Sequence, residues 1–186
     1  SYTIDCYRGR VNIADNIVDF GLFVTSFPQL IAGPIVKYID VEKELKERDD
    51  SLHSYNEGMK IFIEGLFLKV FLANKFGEIF NSFTFADASS KTLVFLKLVA
   101  YSLQIYFDFA GYSKMAIGMG RMVGFHYHEN FNYPYIANSV TDFWRRWHIS
   151  LSTFFRDYVY IPLGGNRKGK VRQYFNLFIV WFLTGM

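Results

Sequence analysis

An all-α, polytopic membrane fold, with re-entrant or interfacial helices among its spans, is the architecture expected of this 186-residue sequence. Three observations carry that expectation. Aromatic residues make up 20% of the chain, with 21 Phe and 13 Tyr, so they are not confined to one small core. Apolar runs of helical length recur, and sustained period-two alternation, the mark of strands, is weak throughout. Charged residues interrupt the apolar runs. A mean hydropathy of +0.10 is too low for a bundle made purely of lipid-facing spans and suits a membrane protein with a polar interior and sizeable loops.

Composition also narrows the function classes. A single cysteine, Cys6, rules out an intrachain disulfide framework and a thiolate zinc set. A net charge of +3 gives little support to nucleic-acid binding.

Taken in order, the elements read as follows. Ile13 to Ile31 is a largely apolar segment relieved by Asp15, Asn16 and Asp19. It breaks at Phe27-Pro-Gln-Leu-Ile-Ala-Gly-Pro34, where two prolines and a glycine predict a kinked or re-entrant stretch surrounded by protein. Lys37 to Asp50 is dense in charge of both signs and is expected to be wet. Tyr55 to Phe80 reads as one long helix, interrupted by Glu64, Lys69 and Lys75, and so not a simple lipid-facing span. A loop, Asn81 to Ser90, follows.

Thr92 to Phe107 is the best span candidate, with Lys97 its only charge. It continues into a segment whose glycines at 111, 118 and 120 permit close backbone approach or a break. An aromatic, Asn-rich loop spans Phe125 to Tyr135. The final apolar run, Tyr174 to Met186, is about thirteen residues, short of the roughly 20 that cross a bilayer. It reads as a span cut in its middle, and the chain as a fragment truncated at both ends. The preceding loop, Asn166 to Arg172, carries four positive charges and no negative one, which predicts a cytoplasmic position.

The stretch from Asn138 to Asp157 is the most informative. It sets one histidine, three arginines and two aspartates among bulky aromatics. Read as one helix over 139–158, His148, Arg145, Ser152 and Arg156 share a stripe bordered by Thr141, Trp144 and Phe155. Phe143, Trp147, Leu151, Phe154 and Tyr158 form a separate apolar face. Ser139 is the expected N-cap, with Asp142 as capping-box partner three residues on. Five ionised residues in a lipid-exposed span would cost on the order of 15 kcal/mol. The helix is therefore expected at the interface, or lining a water-filled cavity where ionisable residues are functional. A solvated amphipathic surface helix is the plain alternative.

Several motifs occur together and in order: Tyr101-Ser-Leu-Gln-Ile-Tyr-Phe-Asp-Phe-Ala-Gly-Tyr-Ser113, Asn130-Phe-Asn-Tyr-Pro-Tyr135, Asp142-Phe-Trp-Arg-Arg-Trp-His-Ile-Ser-Leu-Ser152 and Phe155-Arg-Asp-Tyr-Val-Tyr-Ile-Pro-Leu-Gly-Gly-Asn-Arg167. With Phe27 to Pro34, they closely resemble the membrane-bound O-acyltransferase family, and within it the bacterial branch of the alginate O-acetylation membrane proteins. The resemblance runs over essentially the whole chain. A sister group passes D-alanine onto teichoic acids, whereas Ile161-Pro-Leu-Gly-Gly-Asn-Arg167 looks more like the acetyl-transfer branch.

The resemblance implies that residues 1–186 are the central part of a single membrane O-acyltransferase domain, with a funnel leading to a buried catalytic histidine. His148 occupies the first of two histidines in that branch. The second belongs to a Trp-His-Gly motif expected just beyond Met186, so the isolated fragment is expected to be inactive. The implied reaction moves an acetyl group from a cytoplasmic thioester, acetyl-CoA, towards a hydroxyl on an extracytoplasmic polysaccharide such as alginate. The implied setting is the inner membrane, with an acyl-accepting partner protein and no bound cofactor. A non-catalytic acyl-export or scaffold subunit and D-alanyl transfer are the alternatives.

The residues suit that chemistry. Imidazole, with an ordinary pKa near 6.5, can take a hydroxyl proton at neutral pH, which makes His148 the candidate catalytic residue. Arg145 and Arg156 are placed to hold donor phosphates or an oxyanion. They are equally placed to pair with Asp108, Asp142 or Asp157 as structural ties. Trp144, Ser152, Asp142, Asp108 and Asn130 complete the expected active-site support. His126-x-His128 with Glu129 admits a metal-ligand reading, but the family motif does not call for these histidines and no metal is expected.

Overall fold

The computed structural model describes residues 1–14, 16–29, 33–83 and 90–185. Among them every regular element is helical. In chain order these are α1 (Tyr2–Tyr7), α2 (Ile17–Thr25), α3 (Tyr38–Lys46), α4 (Leu52–Phe67), α5 (Asn74–Ser82), α6 (Lys91–Met122), α7 (Val140–Arg146), α8 (Ile149–Phe155) and α9 (Lys170–Gly185). Short 3-10 turns lie at Phe27–Gln29 and Pro134–Ile136. The kinked segment expected at 27–34 depends on residues 30–32, and the loop at 81–90 on residues 84–89. Both sets lie outside the described residues.

Helix starts follow local capping chemistry. Side-chain oxygens of Asn16, Ser51, Ser90 and Ser139 accept main-chain N–H bonds from Asp19, Ser54, Leu93 and Asp142, satisfying donors that a helix start leaves open. The long helix expected over 55–80 is present. It starts earlier, at Leu52, and runs through α4, a π-helical turn at Leu68–Ala73, and α5 to Ser82 without leaving the helical region.

This helix lies against α6, and glycines set the distance. A Cβ added at Gly58 would sit 2.7 Å from the Gly118 carbonyl oxygen, and one at Gly65 would sit 2.6 Å from that of Gly111. Within each helix the two glycines, Gly58 and Gly65 or Gly111 and Gly118, are seven residues or two turns apart, so the contacts repeat along one stripe. Two ion pairs cross the same junction: Lys114 Nζ to Glu64 Oε2 at 2.7 Å, and Lys69 of the π turn to Asp108.

α6 is the one helix among the described residues long and apolar enough to cross a membrane, with a mean hydropathy of 1.4 over its best window. Its 32 residues extend about 48 Å at about 1.5 Å each. Val94, Phe95 and Leu98 on its N-terminal half are exposed, as lipid- or protein-covered side chains would be. α9, at 16 residues, is shorter than the roughly 20 a span needs.

One expectation is corrected here. Lys37 to Asp50 is not wet all round. Tyr38, Val41 and Leu45 recur at helical spacing and form the centre of the main core with Ile117, Phe125 and Tyr127. Tyr2 and Phe23 pack edge-on against Tyr38, at 4.7 and 5.2 Å between ring centroids. The charges of α3 sit around this buried stripe. The core fixes α3 against the C-terminal half of α6, beside the loop that leads to Asn130.

Candidate active site

The single helix expected over 139–158 is broken. α7 ends at Arg146, Trp147 is extended (φ −101°, ψ 127°), and His148 is left-handed (φ 46°, ψ 56°) before α8 begins at Ile149. Asn130 and Asn132 cause the break. A continuous helix would send the N–H groups of Ile149 and Ser150 to carbonyls of α7. Instead, Ile149 N–H donates to the Asn130 carbonyl at 2.9 Å, and Ser150 N–H donates to Asn130 Oδ1 at 3.1 Å. Asn132 N–H takes the Arg146 carbonyl at 2.9 Å. Asn130 thus caps α8 from outside the helix and holds His148 in a conformation that costs a non-glycine residue about 1–3 kcal/mol.

α7 itself is set by local chemistry. Ser139 Oγ accepts the Asp142 N–H at 3.1 Å, as expected of an N-cap. Asp142 reaches back to the Asn138 N–H at 3.3 Å rather than to that of Ser139. Its other oxygen pairs with Arg146 Nε at 3.0 Å, one turn on.

The His148 ring lies against two elements. Nδ1 is 3.1 Å from Asn130 Oδ1. The ring sits edge-to-face on Phe109 of α6, with centroids 4.8 Å apart at 77°. Burial in these surroundings pushes its pKa down to about 4, because the charged imidazolium loses hydration without gaining an anionic partner. Asn130 is 1% exposed. Beside them Trp147 stacks on Phe143 at 5.6 Å and meets Phe131 edge-on at 5.1 Å, walling one side with aromatic rings.

The break separates residues expected to share a stripe. Arg145 belongs to α7 and is exposed, whereas Ser152 and Arg156 lie beyond the kink. Arg156 is exposed and bound through Nε to Asp157 at 2.8 Å, and Asp157 also accepts from Lys37 Nζ at 2.6 Å. Asp108 is held by Lys69, not by either arginine. Ser152 Oγ donates to the Trp144 carbonyl at 3.3 Å, tying α8 to α7, and the Trp144 ring meets Trp181 of α9 edge-on. Of the expected set, the structure brings Asn130 to His148, joins Trp144 with Ser152, and places Arg145, Arg156, Asp142 and Asp108 elsewhere.

Phe109 and Ser150 were not foreseen. Ser150 Oγ donates to Asn130 Oδ1 at 2.9 Å and accepts the Ile35 N–H at 3.0 Å. A cavity of about 180 Å³ opens on the far side of Ser150, lined by Lys37, Asp40, His128, Ile149 and Thr153 among others. His148 does not line it. His126 Nδ1 lies 2.6 Å from Glu44, and His128 Nε2 lies 3.9 Å from Asp40, so each faces a carboxylate of α3. Among the described residues no group of three metal-ligating side chains comes together.

A helical chain with a span-length apolar helix, and a half-buried histidine at a helix break beside an asparagine and aromatic rings, defines a class of membrane-associated protein with a candidate acid–base centre. The chain belongs to the membrane-bound O-acyltransferase family, whose sequence profile matches residues 15–186. It is 46% identical over 186 residues to the probable alginate O-acetylase AlgI of Pseudomonas fluorescens, covering all of this chain and 38% of that protein. It is 43% identical over 175 residues to the peptidoglycan O-acetyltransferase of Helicobacter pylori, covering 91% of this chain and 33% of that protein. It is 36% identical over 144 residues to the teichoic acid D-alanyltransferase of Bacillus subtilis, covering 75% of this chain and 36% of that protein. The chain therefore spans little more than a third of the length of these relatives.

Proposed function

We propose that this chain is the central part of a multi-pass inner-membrane O-acyltransferase that passes an acetyl group from acetyl-CoA towards hydroxyls of an extracytoplasmic polysaccharide, with His148 as its acid–base group. The observation that carries the reading is the isolation of His148. Its ring is half-buried, neutral at pH 7 and braced by Asn130 and Phe109. A neutral imidazole accepts the proton of the acceptor hydroxyl as its oxygen attacks the thioester carbonyl. As the tetrahedral intermediate collapses, the C–S bond breaks and the thiolate takes that proton back from the imidazolium. The products are an ester and a free thiol, and the imidazole is restored.

Higher identity to the O-acetylases than to the D-alanyltransferase supports acetyl as the group transferred. Exposed Arg145 and the Trp144–Ser152 tie are proposed to support the site from its rim. Arg156 and Asp142 are proposed to act through their ion pairs with Asp157 and Arg146, and Asp108 through Lys69. The test is thioester turnover by the purified full-length protein in liposomes with radiolabelled acetyl-CoA and no partner protein. Turnover that is lost in His148→Gln supports catalysis at this site. An intact protein with no turnover, which nonetheless supports polymer acetylation in cells, would make it an acyl-export or scaffold subunit instead.

A further inference from the structure

Asn130 is buried, and both its main-chain carbonyl oxygen and its side-chain oxygen are committed to the turn carrying His148, while its Nδ2 is buried without a hydrogen-bond partner. Its carbonyl accepts from Ile149 N–H at 2.9 Å. Its Oδ1 accepts from Ser150 N–H at 3.1 Å. A main-chain N–H can only donate, so the side-chain atom facing Ser150 is the oxygen, and the amide orientation is fixed. Ser150 Oγ strengthens that assignment. It accepts from Ile35 N–H at 3.0 Å, which leaves its own proton directed to Oδ1 at 2.9 Å. The same oxygen lies 3.1 Å from His148 Nδ1.

An amide oxygen has no proton to give. A neutral imidazole can therefore bond to it only by donating Nδ1–H, which leaves the lone pair on Nε2. We propose that Asn130 is a positioning residue that locks His148 in the Nδ1–H tautomer and so presents Nε2 as the proton acceptor. The inference rests on the acid–base reading of His148 for its catalytic meaning, but the tautomer is a separate physical fact.

The choice of an amide has a chemical consequence. A carboxylate in this place would orient the ring equally well and would also stabilise the imidazolium, raising its pKa. Asn130 orients without charge, so the ring stays neutral until substrate arrives. Asn130→Asp keeps an acceptor for Nδ1–H and adds a negative charge. Asn130→Ala removes the acceptor and leaves the Ser150 N–H and the Ser150 hydroxyl to find other partners, while the main-chain bond from Ile149 N–H stays.

Two measurements test this on the full-length protein. The first needs no change at Asn130. Nitrogen-15 NMR of histidine-labelled protein in detergent micelles, taken as the difference between wild type and His148→Gln, reports the protonation of each ring nitrogen of His148. A protonated Nδ1 with an unprotonated Nε2 at pH 7 is expected. The Nε2–H tautomer, or an imidazolium, overturns the proposal whether or not the enzyme turns over.

The second compares acetyl-CoA turnover across pH. Loss of the correct tautomer costs on the order of 10⁴-fold in a serine-protease triad, so Asn130→Ala should lose most of the ~10²–10⁴-fold that a general base supplies. Asn130→Asp should recover much of that rate, with the acid limb of its profile moved to higher pH. An Asn130→Asp profile that superimposes on wild type overturns the proposal. If instead His148→Gln keeps full rate while the NMR shows the Nδ1–H tautomer, the acid–base reading fails and the tautomer assignment stands.

Discussion

Gly65 of α4 and Gly111 of α6 meet backbone to backbone: a Cβ built on Gly111 would lie 2.8 Å from the Gly65 carbonyl oxygen and 2.9 Å from Lys69 N. Such separations leave no room for a methyl group without moving a helix, and backbone cannot yield as a side-chain tip does. Gly111→Ala should destabilise the full-length protein by about 1–3 kcal/mol, the usual range for overpacking. It should also lower the amount recovered in the membrane fraction. Gly21→Ala in α2 is the matched control, since nothing lies within 4 Å of its added Cβ. Helix propensity should make that change neutral or favourable by about 0.5–1 kcal/mol. Equal melting temperatures for the two variants would contradict the close approach.

Trp147→Ala should act through stability. The indole stacks on Phe143 and meets Phe131, Tyr106, Phe109 and Tyr135, so truncation opens a void at the break between α7 and α8. A loss of about 3–5 kcal/mol is expected. Thermal unfolding in detergent checks it. A well-folded Trp147→Ala protein with wild-type melting temperature would show that these rings do not bear on the fold.

The depressed pKa of His148 predicts a pH dependence of stability. Between about 4 and its ordinary 6.5 the unfolded imidazole is charged while the folded one is neutral. The unfolded state therefore binds more protons in that window, and stability falls as pH drops through it. His148→Gln removes this linkage. The wild-type melting temperature should fall more steeply than that of His148→Gln between pH 6.5 and pH 4. Parallel curves would show that His148 titrates normally.

The basic loop predicts orientation. With Arg167, Lys168, Lys170 and Arg172 in it, the loop is expected on the cytoplasmic side. With Cys6→Ser as background, Asn166→Cys should resist a membrane-impermeant thiol reagent in intact cells and react after permeabilisation. Labelling of intact cells would reverse the assignment.

Much of this fold is written in local sequence. Ser139 caps α7 because a serine followed by a helix-forming run has that chemistry built in, and α6 follows from a long apolar run free of proline. The seven-residue spacing of Gly58 with Gly65, and of Gly111 with Gly118, also carries the helix junction. The break at Trp147–His148 is different. Nothing between Ser139 and Tyr158 opposes a continuous helix, and periodicity alone places Arg145 and Arg156 beside His148. The break is made by Asn130 and Asn132, which compete for the hydrogen bonds of Arg146, Ile149 and Ser150 from across a turn. A pattern read along one segment cannot contain a competitor supplied by another. The buried stripe of α3 is masked for a simpler reason: only three apolar residues, Tyr38, Val41 and Leu45, carry it, and charged residues surround them in sequence.

Asn176 gives the basic loop an unexpected mechanical character. This fully buried residue of α9 donates from Nδ2 to the carbonyls of Gly165, at 3.1 Å, and Leu163, at 3.4 Å. Surface loops rich in lysine and glycine are the customary places to graft an epitope tag or a protease site. Here a graft between Gly165 and Asn166 would pull on the carbonyls that accept from the buried Asn176 Nδ2, and the disturbance would pass into α9. Gly169, with φ 82° and nothing within 4 Å of an added Cβ, lies beyond those stitches. An insertion at Gly169 would leave the tie from α9 to the preceding turn intact, so the usable grafting point is the single position just before α9 begins at Lys170.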